Sequence, residues 1–277
     1  MHQHGTLDNH HQEGPQSHKS LTLEDIWRAI ELDQFFPYYQ PKVKLRGMEP
    51  VGVEALMRWR HPERGVLSAG AFLPLIADNF LFDELAFIML EKSVAQSRAW
   101  QKEGLDIIIS VNMSPDLLHD TTLPDRIAAI VTEHCVPMQR LIIEVPESSI
   151  ARGTDDVLET LTQLRVKGCG VAIDDYGTGY CDRAQLERVP ASELKIDRMM
   201  LAGASRRPLL RQQLEHSIDI ARELNLAAVA EGVESPDEWD LVNELGVDMV
   251  QGYFIAHPMA GEDLRDWLAR WSVDPFV

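Results

Sequence analysis

The sequence predicts an α/β fold: a closed barrel of eight strands ringed by helices, with the first strand running against the others. Three observations carry this expectation. Apolar, β-rich runs alternate with amphipathic helical stretches, the pattern of parallel strands joined by crossover helices. One connection, RGMEP at residues 46–50, is too short for a crossover helix, so the first two runs must form an antiparallel pair. Polar side chains also recur toward the C-terminal ends of the apolar runs, where barrels of this kind keep their chemistry.

The first twenty residues, MHQHGTLDNHHQEGPQSHKS, are polar and hold half of the ten histidines, so residues 1–20 read as a disordered tail or linker ahead of one domain over 21–277. Helical pattern begins after Thr22, a candidate N-cap. Strand-type runs follow at Phe36 to Leu45, Val51 to Met57, Asp106 to Met113, Arg140 to Val145 and Gly170 to Asp174. Three more come at Glu193 to Ile196, Ala227 to Ala230 and Met249 to Ile255. Helical stretches separate most of them, at Phe82 to Lys102, Leu123 to His134, Val157 to Lys167, Leu209 to Leu224 and Pro236 to Leu245. The chain shows no internal repeat.

The 277 residues carry a formal net charge of −18, which argues against binding long nucleic acid through basic patches. If such a chain takes a phosphate ester, bound divalent cations must cancel the repulsion locally. No apolar run approaches the roughly 18 residues that span a bilayer. The three cysteines, Cys135, Cys169 and Cys181, lack metal-site spacing and read as reduced thiols, which points to the cytoplasm.

Seven of the apolar runs are interrupted by ionisable or amide groups. In order these are Glu54 and Arg58, Asn112, Glu144 and Glu147, Asp174 and Asp175, Lys195 and Asp197, Glu231 and Glu234, and Gln251. Any one of them could be a helix cap or half of an ordinary ion pair. Together they are too many, because buried charge is costly unless it is paired or bound to metal. Closing the barrel gathers them at one end. Carboxylates with an amide oxygen are hard ligands, suited to Mg²⁺ or Mn²⁺. The adjacent Asp174 and Asp175 would let one carboxylate bridge two cations while its neighbour completes the second site.

In order, the chain contains YQP, VEALMRWRHP, VNMS, EVPES, DDYGTGY, LKIDR, AEGVE and QGY. With these blocks it resembles the EAL domains, cyclic di-GMP phosphodiesterases named for the triplet found here as Glu54-Ala55-Leu56. The resemblance runs from about Tyr38 to Pro258 and implies a modified TIM (β/α)8 barrel with one antiparallel strand. It also implies hydrolysis of cyclic di-GMP to linear pGpG with two Mg²⁺ or Mn²⁺ ions. By the same resemblance, Glu54, Asn112, Glu144 and Asp174 hold one cation, and Asp174 with Asp175 holds the other. Lys195 stands near the attacking water, and Glu231 and Gln251 complete the cation or water shell, so that Glu54, Lys195 and Glu231 carry catalysis. Gln40, Leu56, Arg58, Asp197 and Gln251 fall where the family contacts substrate. Glu147 and Glu234 match residues that shape the loop from Asp174 to Cys181.

The chain departs from the family pattern at Pro146, where threonine is usual, and at Cys181, where serine is. Neither is a ligand position. A cyclic di-GMP receptor without turnover is the alternative reading. The resemblance further implies a homodimer through Leu186 to Arg198 and the helix that follows.

Overall fold

The computed structural model describes residues 20–76, 81–151 and 154–273, so the expectation of a disordered tail lies outside the described residues. The first helix, Leu23–Glu31, is capped by Thr22 as predicted, with Asp25 closing a capping box. Nine strands follow among the described residues: β1 (Phe35–Lys44), β2 (Pro50–His61), β3 (Gly65–Ser68), β4 (Ile108–Asn112), β5 (Leu141–Pro146), β6 (Gly170–Tyr176), β7 (Glu193–Ile196), β8 (Ala227–Ala230) and β9 (Met249–Gln251).

Eight of these close a barrel, because β1 pairs with both β2 and β9. Both pairings of β1 are antiparallel, whereas β2, β4, β5, β6, β7, β8 and β9 run parallel to one another in that order. The reversed first strand is thus as the short RGMEP connection requires. Tyr39 exchanges both backbone hydrogen bonds with Met259, on the side of β1 away from β2. Pro37 and Pro41, two residues to either side, turn their missing N–H to that same edge, which lets a strand with two prolines keep its ladder to β2.

Several features were not anticipated, two of them at the ends of strands. The short β3 forms a hairpin with the end of β2, pairing Arg58 with Ser68 and Arg60 with Val66. The last run also stops sooner than its apolar pattern suggests. After Gln251 the chain turns, because the Gly252 Cα lies against the Val233 backbone, where a Cβ would come within 2.1 Å of the Val233 oxygen. Val233 N–H donates to the Gln251 carbonyl, and Phe254 N–H to that of Val233.

Strand alternation sorts the side chains. Val53, Ala55, Ile109, Val111, Ile143, Val145, Val171, Ile173, Leu194, Ile196, Ala228, Ala230 and Val250 join the main core under the surrounding helices. The interleaved residues fill the barrel, and many of them are polar: Gln40, Lys42, Glu54, Ser110, Glu144, Glu193, Lys195 and Gln251 are all buried. A second core, of Ile26, Ala29, Phe35, Trp59, Phe72, Ile76, Leu81 and Leu85, seats the first helix against the outer face of the β2–β3 hairpin. It holds the rim segment on which Arg58 stands.

Candidate active site

Lys195, from the middle of β7, lies inside the barrel with 1% of its side chain exposed. Its ammonium is 2.6 Å from Glu144 Oε2, 2.8 Å from Glu231 Oε1, 3.0 Å from Asp174 Oδ1 and 3.4 Å from Glu54 Oε2. Four carboxylates, from β2, β5, β6 and the residue after β8, therefore meet one cation. Asp175 joins them, since carboxylate oxygens of Asp174, Asp175 and Glu231 all lie within 4.8 Å of one another.

The double aspartate is made possible by a break in the ladder. The β6–β7 register shifts between Ile173 and Tyr176, and Asp175 takes a left-handed φ of 56°. A bulge of this kind re-aims a side chain. It allows two successive residues to serve one side of the sheet, which strict alternation would forbid.

Amides complete the arrangement. Asn112 Nδ2 donates to Glu54 Oε1 (2.9 Å), and Gln251 Nε2 to Glu54 Oε2 (2.6 Å). Gln251 also reaches Gln40 Oε1 at 3.2 Å, and Gln40 Nε2 is anchored on the Ala256 carbonyl at 3.0 Å. Beneath this layer, Lys42 and Glu193 form a second buried ion pair. The sequence reading missed that pair, although each stands two residues along a strand from a named site residue (Gln40 and Lys195), and period two puts such neighbours on one face.

The electrostatics follow from burial and proximity. Burial opposes the charge on Glu54, but Lys195 and the donated hydrogen bonds of Gln251 and Asn112 outweigh it and hold Glu54 below the usual carboxylate range. Burial raises Glu144 well above that range, reinforced by the charges of Glu54 and Asp174. Glu231 is pushed up to about 8, again chiefly by burial. Asp175 rises to about 6 through burial and the neighbouring Asp174. Burial works against the charged form of Lys195, yet Asp174, Glu144, Glu231 and Glu54 together hold it ionised.

The donor set fits divalent cations. Glu144 Oε1 and Gln251 Oε1 are buried without a hydrogen-bond partner, and Asp174 Oδ1 meets Lys195 without accepting a hydrogen bond from it. Buried oxygens left in this way are costly. With all five carboxylates ionised, as ligands of a cation must be, one ammonium leaves four negative charges, which two divalent ions would balance.

The remaining predicted residues lie around this centre. Arg58 is half-buried on the rim, donates to the Met57 carbonyl (2.8 Å) and stands 5.5 Å from the centre of the Tyr38 ring. Leu56, two residues earlier on β2, is half-buried as well. Burial lowers the Arg58 pKa against the opposing influence of Tyr253, Tyr38 and Glu54. Tyr253 is exposed and packs its ring 4.2 Å from that of His257. Tyr38, Tyr253 and His257 were not singled out from the sequence, where lone aromatic residues carry no signal of a shared rim. Asp197 caps the short helix Arg198–Leu201 by accepting the Met199 amide at 2.7 Å.

Glu147 begins the helix Glu147–Ala151 and accepts five hydrogen bonds from the loop after β6. Gly177 N, Thr178 N and Thr178 Oγ1 donate to Oε2, and Tyr180 N and Cys181 N to Oε1, all between 2.7 and 3.2 Å. Glu234 instead bonds Arg198 Nη2 at 2.6 Å, so its hold on that loop runs through the Arg198–Leu201 helix. The Cys181 thiol donates to the Glu147 carbonyl, and burial pushes it up to about 11, the state of an inert side chain. Pro146 is the last residue of β5, directly before the first turn of the next helix, where a missing N–H is tolerated. His61 Nδ1 accepts the Glu63 and Arg64 amides of the β2–β3 turn, a structural role.

Fold and site define a (β/α)8-type barrel with a cluster of hard-oxygen side chains gathered at one end of its parallel strands. The family model of the EAL domain matches residues 23–258, and the chain belongs to that family. It is 37% identical over 243 residues to MucR of Pseudomonas aeruginosa, described as a bifunctional diguanylate cyclase/cyclic di-GMP phosphodiesterase. It is 32% identical over 246 residues to RocR of the same organism, a cyclic di-GMP phosphodiesterase. These matches cover 87% and 89% of this chain but only 36% and 63% of those relatives. The solved MucR phosphodiesterase in complex with c-di-GMP aligns with a TM-score of 0.83 at 37% identity, covering 87% of this chain and 98% of that one. The EAL domain of Mycobacterium smegmatis DcpA aligns at 0.73 and 28% identity, covering 85% of this chain and 98% of that one.

Proposed function

We propose that this chain hydrolyses cyclic di-GMP to linear pGpG with the help of two divalent cations, Mg²⁺ or Mn²⁺. The observation that carries the reading is the convergence of Glu54, Glu144, Asp174, Asp175 and Glu231 around Lys195. The names of the relatives and the c-di-GMP complex of the MucR phosphodiesterase support the choice of substrate.

Glu54, Asn112, Glu144, Asp174, Asp175 and Glu231 would hold the cations, with Gln251 Oε1 available beside them. When bound, such a pair makes water nucleophilic near neutral pH and offsets charge building on the phosphate. Lys195 keeps a positive charge at the reacting centre and positions the attacking water by hydrogen bonding. Gln251 and Asn112 hold Glu54 ionised and fix its orientation. Arg58 offers its guanidinium to a phosphate oxygen at the rim, so a strongly acidic chain can receive a dianionic dinucleotide. Gln40, Leu56 and Asp197 complete the substrate contacts in this reading.

The same reading places the protein in the cytoplasm and pairs it as a homodimer. Exposed Met199 and Leu209, in and just after the segment expected at the interface, support the second point, which light scattering tests. Among the described residues no helix is long and apolar enough to cross a membrane. The deciding experiment incubates pure protein with cyclic di-GMP and Mn²⁺ or Mg²⁺, with an EDTA control, and separates the products by chromatography. Metal-dependent pGpG is expected, and tight binding without turnover would favour the receptor reading instead.

A further inference from the structure

Asp174 and Asp175, near the end of β6, and Glu231, directly after β8, bring three carboxylates together from two separate segments. Lys195 draws Asp174 and Glu231 together at their carboxylates, and the backbone that follows each of them is held separately. The helix Arg198–Leu201 touches each segment at a glycine beside the site. A Cβ on Gly177, two residues after Asp175, would lie 2.7 Å from Met200 Cγ and 2.9 Å from its sulfur. A Cβ on Gly232, next to Glu231, would lie 2.7–2.8 Å from the Cβ, Cγ and Cδ atoms of Arg198. Both glycines have left-handed φ angles, +108° and +63°, which side chains rarely adopt.

The helix is itself fixed at both ends. Asp197 caps its start, and the Asp197 N–H donates to the Tyr176 carbonyl at 3.1 Å, tying it to the strand that carries the two aspartates. Leu201 is fully buried at its end. The Arg198 stem lies over Gly232 while its head bonds Glu234, two residues further along the same loop. Met200 is half-buried, packs on the main core and lies against Gly177, whose N–H donates to the Glu147 carboxylate.

We propose that Arg198 and Met200 are positioning residues that clamp the Asp174–Asp175 loop and the Glu231 loop at the spacing the cation site needs. Neither side chain has to touch a cation. Each sets where a glycine-hinged backbone lies, and through it where the adjacent carboxylates stand. Residues that orient ligands without contacting the ion typically contribute about 10–100-fold to metal affinity.

The inference rests on the cation-site reading above, and its test is Mn²⁺ binding to the whole chain, measured by calorimetry and by electron paramagnetic resonance. Met200→Ala and Arg198→Ala should each weaken Mn²⁺ binding about tenfold or more. Met200→Leu, which keeps apolar bulk over Gly177, and Arg198→Lys, which keeps the stem and the charge facing Glu234, should restore most of the affinity. Amide exchange at Gly177 and Thr178 should quicken in Met200→Ala, and kcat for cyclic di-GMP should fall more than KM rises. Wild-type Mn²⁺ affinity in both alanine variants would overturn the proposal, as would failure of both conservative variants to recover it. If one alanine variant does not fold, the other, with its rescue, decides. Should the wild-type protein bind Mn²⁺ and the variants behave as expected while cyclic di-GMP is left intact, the clamp stands and the phosphodiesterase reading falls.

Discussion

Lys195 Nζ sits 2.6 Å from Glu144 Oε2, and each side chain is only 1% exposed. Lys195 also holds the buried Glu54 ionised, and removing a buried cation leaves such a charge uncompensated, typically at a cost of about 3–5 kcal/mol. Lys195→Met should therefore lower stability to urea by roughly that amount when measured in EDTA. Hydrolysis of cyclic di-GMP should fall on the order of 10²-fold or more, because a charge fixed at the reacting centre is lost. Unchanged turnover would remove Lys195 from the catalytic group.

Glu54 takes a donated hydrogen bond on each oxygen, from Asn112 and from Gln251. Glu54→Gln keeps the shape but must turn an NH₂ toward one of those donors and loses the charge. We expect the fold to survive and turnover to drop on the order of 10²-fold or more. Circular dichroism and product chromatography on the same sample check both halves. Retained hydrolysis would rule out its assigned role.

The barrel and most of its acidic centre were legible because both depend on patterns that sequence records directly. Strand and helix periods alternate, RGMEP is short, and carboxylates interrupt apolar runs such as GVAIDDY. Other features depend on close approach in space. Nothing in AEGVE announces that Gly252 will lie against the Val233 backbone and end the last strand after Gln251. The bulge that turns Asp175 beside Asp174 is likewise a matter of register between β6 and β7, which a single strand does not encode. The expected link from Glu234 to the loop after β6 is indirect because Arg198 lies between them and takes its carboxylate.

Lys42 and Glu193 pair inside the barrel below the site, with 2% and 10% of their side chains exposed. Their role is to satisfy each other where water does not reach. Lys42→Met alone should destabilise the fold by about 3–5 kcal/mol, since Glu193 would remain buried and unpaired. Adding Glu193→Leu should recover most of that loss, because well-packed apolar replacements of a buried pair are often neutral or better. Urea unfolding of the two single variants and the double variant measures this directly. A double variant no more stable than Lys42→Met would mean that the pair does more than neutralise itself.

The Glu147 carboxylate is shared by five donors spread over Gly177, Thr178, Tyr180 and Cys181, three on one oxygen and two on the other. Glu147→Gln cannot reproduce that division. Whichever way the amide turns, its NH₂ faces at least two donors that then lack an acceptor. Hydrogen bonds to a charged group contribute about 1.5–3 kcal/mol each. Losing two should make local opening of the loop easier by at least about 3 kcal/mol, on the order of a hundredfold in the amide exchange of residues 177–181. The loop begins at the two aspartates, so Mn²⁺ binding should weaken and turnover should fall with it. Global stability should change less, because the loop lies at the mouth rather than in either core. Exchange rates confined to residues 177–181, set beside Mn²⁺ affinity and kcat, check all three. If exchange quickens there while Mn²⁺ affinity and turnover stay at wild-type values, the loop does not set the position of Asp174 and Asp175.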